Sequence, residues 1–157
     1  MEHNMNIPLE SSELDANALS PAEGITRGAS RYFRELGNAV LREFRLSNGR
    51  RVDLIGLDAK GKFSIVEVKS SPADFRTDDK WPEYRAYCDE FYFAVAAGFP
   101  TDLIPDDCGL IVADAFGAVV RRPAPPQPMN GTRRRAQILR FGLAGAGRLE
   151  RMLDPQA

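Results

Sequence analysis

Asp53, Glu67 and Lys69 are the residues whose types and spacing most suggest chemistry: an Asp, thirteen residues, a Glu, one residue, a Lys. Apolar and polar residues alternate around them, so strands are predicted over 50–57 and 63–70. Asp58-Ala59-Lys60-Gly61-Lys62 between them reads as a short hairpin loop, with Gly61 suited to a left-handed position. Pairing the strands symmetrically about Lys60 sets Asp53 opposite Glu67 and Arg51 opposite Lys69, all four on one face. Like charges directly opposite cost a sheet up to about 1 kcal/mol, so two facing carboxylates need a compensating partner. A divalent cation is one, because Mg²⁺ is held through one or two carboxylates, waters and substrate phosphates. Asp53 and Glu67 would then be ligands, with the Val68 carbonyl a further candidate, and Lys69 would hold negative charge developing on a phosphate. The plainer alternative is an exposed charge network of Arg51, Asp53, Glu67 and Lys69. A bulge at Gly61 would also move Asp53 to the other face.

The elements that must position these residues are legible on either side. Ser20-Pro21-Ala22-Glu23 is a capping box with Pro at the first helical position, and Ile25, Ala29, Tyr32, Phe33 and Leu36 repeat at three and four, predicting a helix over 21–36. Gly37-Asn38 stops it. From Ala39 the period changes to two, a strand closed by the turn Ser47-Asn48-Gly49. A helix is expected from about Asp79 to Cys88, with Pro82 in its first turn. Phe91–Ala96 and Gly109–Asp114 read as buried strands, and Gly117–Arg121 as a segment able to pair back. Residues 123–132 form a proline-rich spacer, and 133–153 a C-terminal helix, Arg-rich at its start, that packs on or extends the domain of residues 20–122. Residues 1–19, acidic and poor in apolar side chains, are expected to be a disordered tail. The sum is an α/β fold, a mixed sheet flanked by helices in the order α-β-β-β-α-β-β-α.

Composition narrows the chemistry. The 157 residues suit one domain. The single histidine is His3, in the expected tail, which removes Ser-His-Asp triads, Cys-His nucleophiles and His-containing metal sites. Cys88 and Cys108 are expected as free thiols. The longest uncharged run, Phe91 to Thr101, is too short for the ~20 residues of a membrane span. The acidic N-terminus is the reverse of a secretory signal, so a cytoplasmic protein without membrane partners is expected. Net charge is −1, so any polyanion must be held by a local patch.

Asp53…Glu67-x-Lys69, carried on two strands after a helix and a strand, resembles the signature of the PD-(D/E)XK nuclease superfamily over about residues 21–97. Gly49–Asp53, Val66–Trp81, Tyr84, Cys88-Asp89, Phe91–Val95 and Gly109–Asp114 together resemble the MmcB-type DNA repair protein family over about 25–122. The resemblance implies a restriction-endonuclease-like fold, Asp53 and Glu67 binding Mg²⁺ (or Mn²⁺), Lys69 as catalytic lysine, and phosphodiester hydrolysis in DNA repair. The superfamily also carries an acidic residue in its first helix; Glu23 and Glu35 are the candidates, and the capping box accounts for Glu23. Its name-giving proline is replaced by Val52. Lys80-Trp81 with Tyr84 resembles a downstream Gln/Lys-x-x-x-Tyr element, which adds Lys80, Trp81 and Tyr84 to Arg51, Arg76, Arg133, Arg134 and Arg135 as candidate DNA contacts. DNA is the expected partner, together with other DNA repair proteins. The alternative from another class is a non-cleaving DNA-binding or scaffold protein that uses Arg133, Arg134, Arg135 and Arg140.

Overall fold

The computed structural model describes residues 18–155, so the stretch expected as an acidic tail lies, up to residue 17, outside the described residues. Helix α1 (Pro21–Glu35) begins as its sequence dictates. The Ser20 hydroxyl accepts from the Glu23 N–H at 3.2 Å, and the Ser20 N–H donates to the Glu23 carboxylate at 2.8 Å. Three antiparallel strands follow, β1 (Ala39–Arg45), β2 (Arg51–Leu57) and β3 (Phe63–Lys69). The β2–β3 turn is tied by the Asp58 carboxylate, which accepts from the Lys60 and Lys62 N–H groups at 2.9 Å, with Gly61 at φ +83°. Leu54 thereby faces Val66 and Leu57 faces Phe63, the register that symmetry about Lys60 predicts.

The path then departs from expectation. A short helix α2 (Pro72–Thr77) precedes a 3₁₀ segment, Trp81–Tyr87, where one α-helix over 79–88 is predicted. Ser71 caps α2 by accepting from the Asp74 N–H at 3.1 Å, with Pro72 next, which repeats the start signal of α1. Strands β4 (Glu90–Val95) and β5 (Gly109–Ala113) run parallel to β3, and β6 (Ala118–Arg122) returns antiparallel. The second half thus contributes three strands rather than two. The result is one six-stranded mixed sheet in sequence order, flanked by helices, ending in the 23-residue helix α3 (Gly131–Leu153).

Helix α1 covers one face through Ile25, Ala29 and Phe33 against Leu54, Val66, Ala94 and Ile111. The 3₁₀ segment and α3 cover the other through Trp81, Tyr84 and Phe141 against Phe44, Phe63, Phe91 and Phe93. Residues 123–130, predicted as a spacer, are tied to the sheet: Gln127 donates to the Asp89 carbonyl and Met129 to the Asp89 carboxylate. Both cysteines are free and buried, as expected. No described helix is long and apolar enough to cross a membrane.

Helix α1 approaches the β5–β6 turn at Gly28, where a Cβ would lie 1.9 Å from the Asp114 carbonyl oxygen and 2.5 Å from that of Gly117. Both obstacles are backbone, so Gly28→Ala is expected to destabilise the fold by ~1–3 kcal/mol despite Ala's better helix propensity. Chemical denaturation of the two proteins checks this, and an unchanged midpoint would show that the turn yields.

Candidate active site

Strand β1 reaches the site with a distortion. Glu43 adopts φ +48°, the left-handed region that non-glycine residues enter at a cost. Leu41 and Phe44, three residues apart, consequently pack into the same cluster, and on β2 so do Val52 and Ile55. Strict alternation is therefore interrupted on both strands where Glu43 and Asp53 lie. Asp53 still reaches Glu67, but Arg51 does not join the predicted face: it stands opposite Arg45 on β1 and lines a different cavity.

Asp53 and Glu67 meet where the β2–β3 ladder gives out. The pairing ends at Leu54 and Val66, and beyond it side chains replace the backbone exchange. The Asp53 N–H donates to Glu67 Oε1 at 3.0 Å, and the Val68 N–H donates to Asp53 Oδ2 at 2.8 Å. Each carboxylate thus uses one oxygen to close the strand gap, leaving Asp53 Oδ1 and Glu67 Oε2. The N–H and C=O of one extended residue point to the same side of a strand, so the Val68 carbonyl is turned toward this gap as well.

Burial sets the electrostatics. Glu67 is 5% exposed. Loss of solvation raises its pKa above the ordinary carboxylate range, the negative charge of Asp53 raises it further, and the Asp53 N–H and Lys69 pull it down less strongly. Asp53 is raised chiefly by burial as well, against the opposing pull of the Val68 N–H and Lys69. Lys69 is equally buried, with Nζ 2.5 Å from Asp78 Oδ2 and 3.9 Å from Asp74 Oδ1. Asp78 therefore holds the ammonium beside the carboxylate pair.

These groups line a cavity of about 570 Å³ together with Glu23 and Thr26 of α1, Glu43 of β1 and Asp74 of α2. Glu23 both completes the capping box and lines this cavity with the carboxylate pair, whereas Glu35 lies at the far end of α1. Sequence reasoning leaves Asp74, Asp78 and Asp79 equally as helix caps and solvated charges or as ligands, and misses Glu43 as a member of this site. Nothing in local spacing shows that Asp78, nine residues from Lys69, folds back onto it, or that β1 kinks at Glu43.

The donors are all oxygen, which suits a hard divalent ion. Among the described residues, no group of three or more His, Cys, Asp or Glu side chains is placed to enclose a metal. Two carboxylate oxygens and a carbonyl, completed by water, match the sparse protein ligation typical of Mg²⁺. Asp53, Glu67 and Val68 therefore fit such an ion.

The candidate DNA contacts are dispersed. Tyr84 is buried under Phe91, and Trp81 stacks on Phe91 at 5.8 Å. A 3₁₀ helix repeats every three residues, so Lys80 aligns with Glu83 and does not share a helical face with Tyr84. Arg133 lies over the Tyr87 ring at 4.7 Å and donates to the Ala86 carbonyl. Arg134 grips Asp89 through two bonds of 2.6 and 2.7 Å, which docks α3 on the sheet. Arg76, Lys80 and Arg135 are exposed, and among the described residues they have no hydrogen-bond or ion-pair partner for their side chains.

A family model described as DNA repair protein MmcB-like matches residues 9–156. A solved structure of a protein of unknown function from Silicibacter pomeroyi is similar at 40% identity and a TM-score of 0.84, over 88% of this chain and 94% of that one. A search of curated proteins finds no match.

Proposed function

Since the chain belongs to the MmcB-like DNA repair protein family, we propose that it serves DNA repair as a metal-dependent DNA endonuclease of the PD-(D/E)XK type. One observation carries this reading: the buried Glu67 and half-buried Asp53 carboxylates oppose each other at an opened strand pair with the Lys69 ammonium beside them. Burying like charges together is costly unless a cation or a reaction compensates.

Asp53, Glu67 and the Val68 carbonyl would hold Mg²⁺ or Mn²⁺. When bound, that ion polarises the phosphodiester and strengthens water as a nucleophile at neutral pH. The protein's own part is positional and electrostatic. A phosphate seated in the cavity is attacked in line by water, so that one P–O bond forms as the ester P–O bond breaks, leaving a phosphate monoester and a hydroxyl. Lys69 faces the negative charge that grows on the phosphoryl oxygens, and Asp78 keeps the ammonium from swinging away.

Titration with Mg²⁺ or Mn²⁺ tests the site. Wild type is expected to gain thermal stability as RT ln(1 + [L]/Kd), about 2.7 kcal/mol at a hundredfold excess over Kd, and Asp53→Asn to lose most of the gain. Equal gains in both proteins would remove the metal site. If duplex, single-stranded, forked and gapped DNA are bound but never cut, the chain is instead a non-cleaving DNA-binding module on the same fold.

A further inference from the structure

Arg45 and Arg51 stand directly opposite each other across β1 and β2, a like-charge pair that costs a sheet stability. Helix α3 brings Arg140, Arg148 and Arg151 to the same place, so five arginines line one cavity of about 390 Å³. Glu43 is its one acidic lining residue. The Arg148 guanidinium binds the backbone carbonyls of Arg42 and Glu43, and Arg45 donates to the Gly49 carbonyl at 2.9 Å, so neither is neutralised by a carboxylate. Arg51, Arg140 and Arg151 are exposed and, among the described residues, have neither an ion pair nor a hydrogen bond for their side chains. A cation in the last turn of a helix is favoured by the helix dipole, which accounts for Arg151 alone. It explains neither the Arg45–Arg51 pair nor the convergence of three elements.

Five guanidinium groups gathered around one carboxylate, Glu43, that ion-pairs with none of them form a site for an anion, and their planar forks suit phosphate oxygens. Glu43 lines this cavity and the Asp53–Glu67 cavity alike, so the two adjoin across β1. Resting on the nuclease reading above, we propose that Arg45, Arg51, Arg140, Arg148 and Arg151 form a phosphate-binding patch that holds the DNA backbone beside the carboxylate site. Local charge achieves here what a net charge of −1 does not. Such a patch carries affinity and register and reads no base.

The test is binding of two labelled duplexes, equal in length and different in sequence, over a salt series without divalent cation so that nothing is cut. The double variant Arg51→Ala/Arg151→Ala removes two side chains that hold nothing else in place. It is expected to bind both duplexes at least tenfold more weakly at low salt. The slope of log K against log salt should fall by about 0.9 for each phosphate that the variant no longer neutralises. Arg51→Lys/Arg151→Lys, which keeps the charge, is expected to recover most of the slope. Arg121→Ala, on the far edge of the sheet at β6, is expected to leave it unchanged. Wild-type binding with an unchanged slope in the alanine double variant would overturn the patch and leave the nuclease reading intact. An equal drop in Arg121→Ala would overturn it too, because only net charge would then matter. Failure of wild type to bind any DNA at low salt would overturn both.

Discussion

Lys69→Met is expected to retain most DNA affinity and to lose ~10²–10³-fold in cleavage rate, the usual cost of removing one preorganised electrostatic group. Affinity should survive because Lys69 is 4% exposed and adds little to the surface that meets the phosphate backbone. The rate should not, because on the nuclease reading Nζ would meet charge that grows only as the ester bond breaks, and loss of a group acting only in the transition state lowers kcat without a matching change in binding. Met keeps the length of the buried stem, which limits the change to the charge and its pair with Asp78. Asp78→Asn provides the second arm. It leaves the ammonium in place but loosens its hold, so a smaller drop in rate is expected, with unchanged DNA affinity. Single-turnover cleavage and mobility shift on forked, gapped and linear DNA, with both variants, check this. Equal rates for Lys69→Met and wild type would remove Lys69 from the chemistry.

The opposition of Asp53 and Glu67 is legible in the sequence because one short loop determines it. Asp58 and Gly61 close the turn about Lys60, and every partner up to Leu54 and Val66 follows from that symmetry. The placement of Arg51 is not legible, since it depends on the distortion of β1 at Glu43, a tertiary effect absent from the two-residue period. The start of α2 is readable, yet no helix is expected there: Ser71-Pro72-Ala73-Asp74 repeats the logic of Ser20-Pro21-Ala22-Glu23. Arg134 resembles a DNA contact in sequence because its partner Asp89 stands 45 positions away, beyond any local pattern. Buried Asp89 accepts two bonds from that arginine and one each from the Phe63 and Met129 N–H groups, which makes it the joint between sheet and α3.

Glu67→Gln is expected to make the metal-free protein more stable at neutral and alkaline pH while abolishing its response to Mg²⁺ or Mn²⁺. The folded state raises the Glu67 pKa above its unfolded value, so it binds the proton more tightly than the unfolded chain does. Such a group's stabilisation is complete below the unfolded pKa, near ~4.3, and is lost as pH rises through the folded value. Asp78 and Asp89 act in the opposite sense. Burial opposes the charged form of each, but their pairs with Lys69 and Arg134 outweigh it and lower both pKa values, so their stabilisation is lost in acid. A metal-free stability profile with an acid limb from Asp78 and Asp89 and an alkaline decline from the Asp53–Glu67 pair follows. Each tenfold difference in proton affinity between folded and unfolded states is worth about 1.4 kcal/mol. Gln keeps the shape and the bond from the Asp53 N–H but never ionises, so the alkaline decline should flatten in the variant. Metal and proton compete for the same oxygens, so in wild type the stabilisation by Mg²⁺ should grow with pH and protons should be released on binding. Denaturation at matched ionic strength from pH 5 to 9, with and without the ion, reads both effects. A wild-type profile as flat as that of Glu67→Gln would mean that the two carboxylates do not repel, and the compensation that a cation supplies would lose its physical reason.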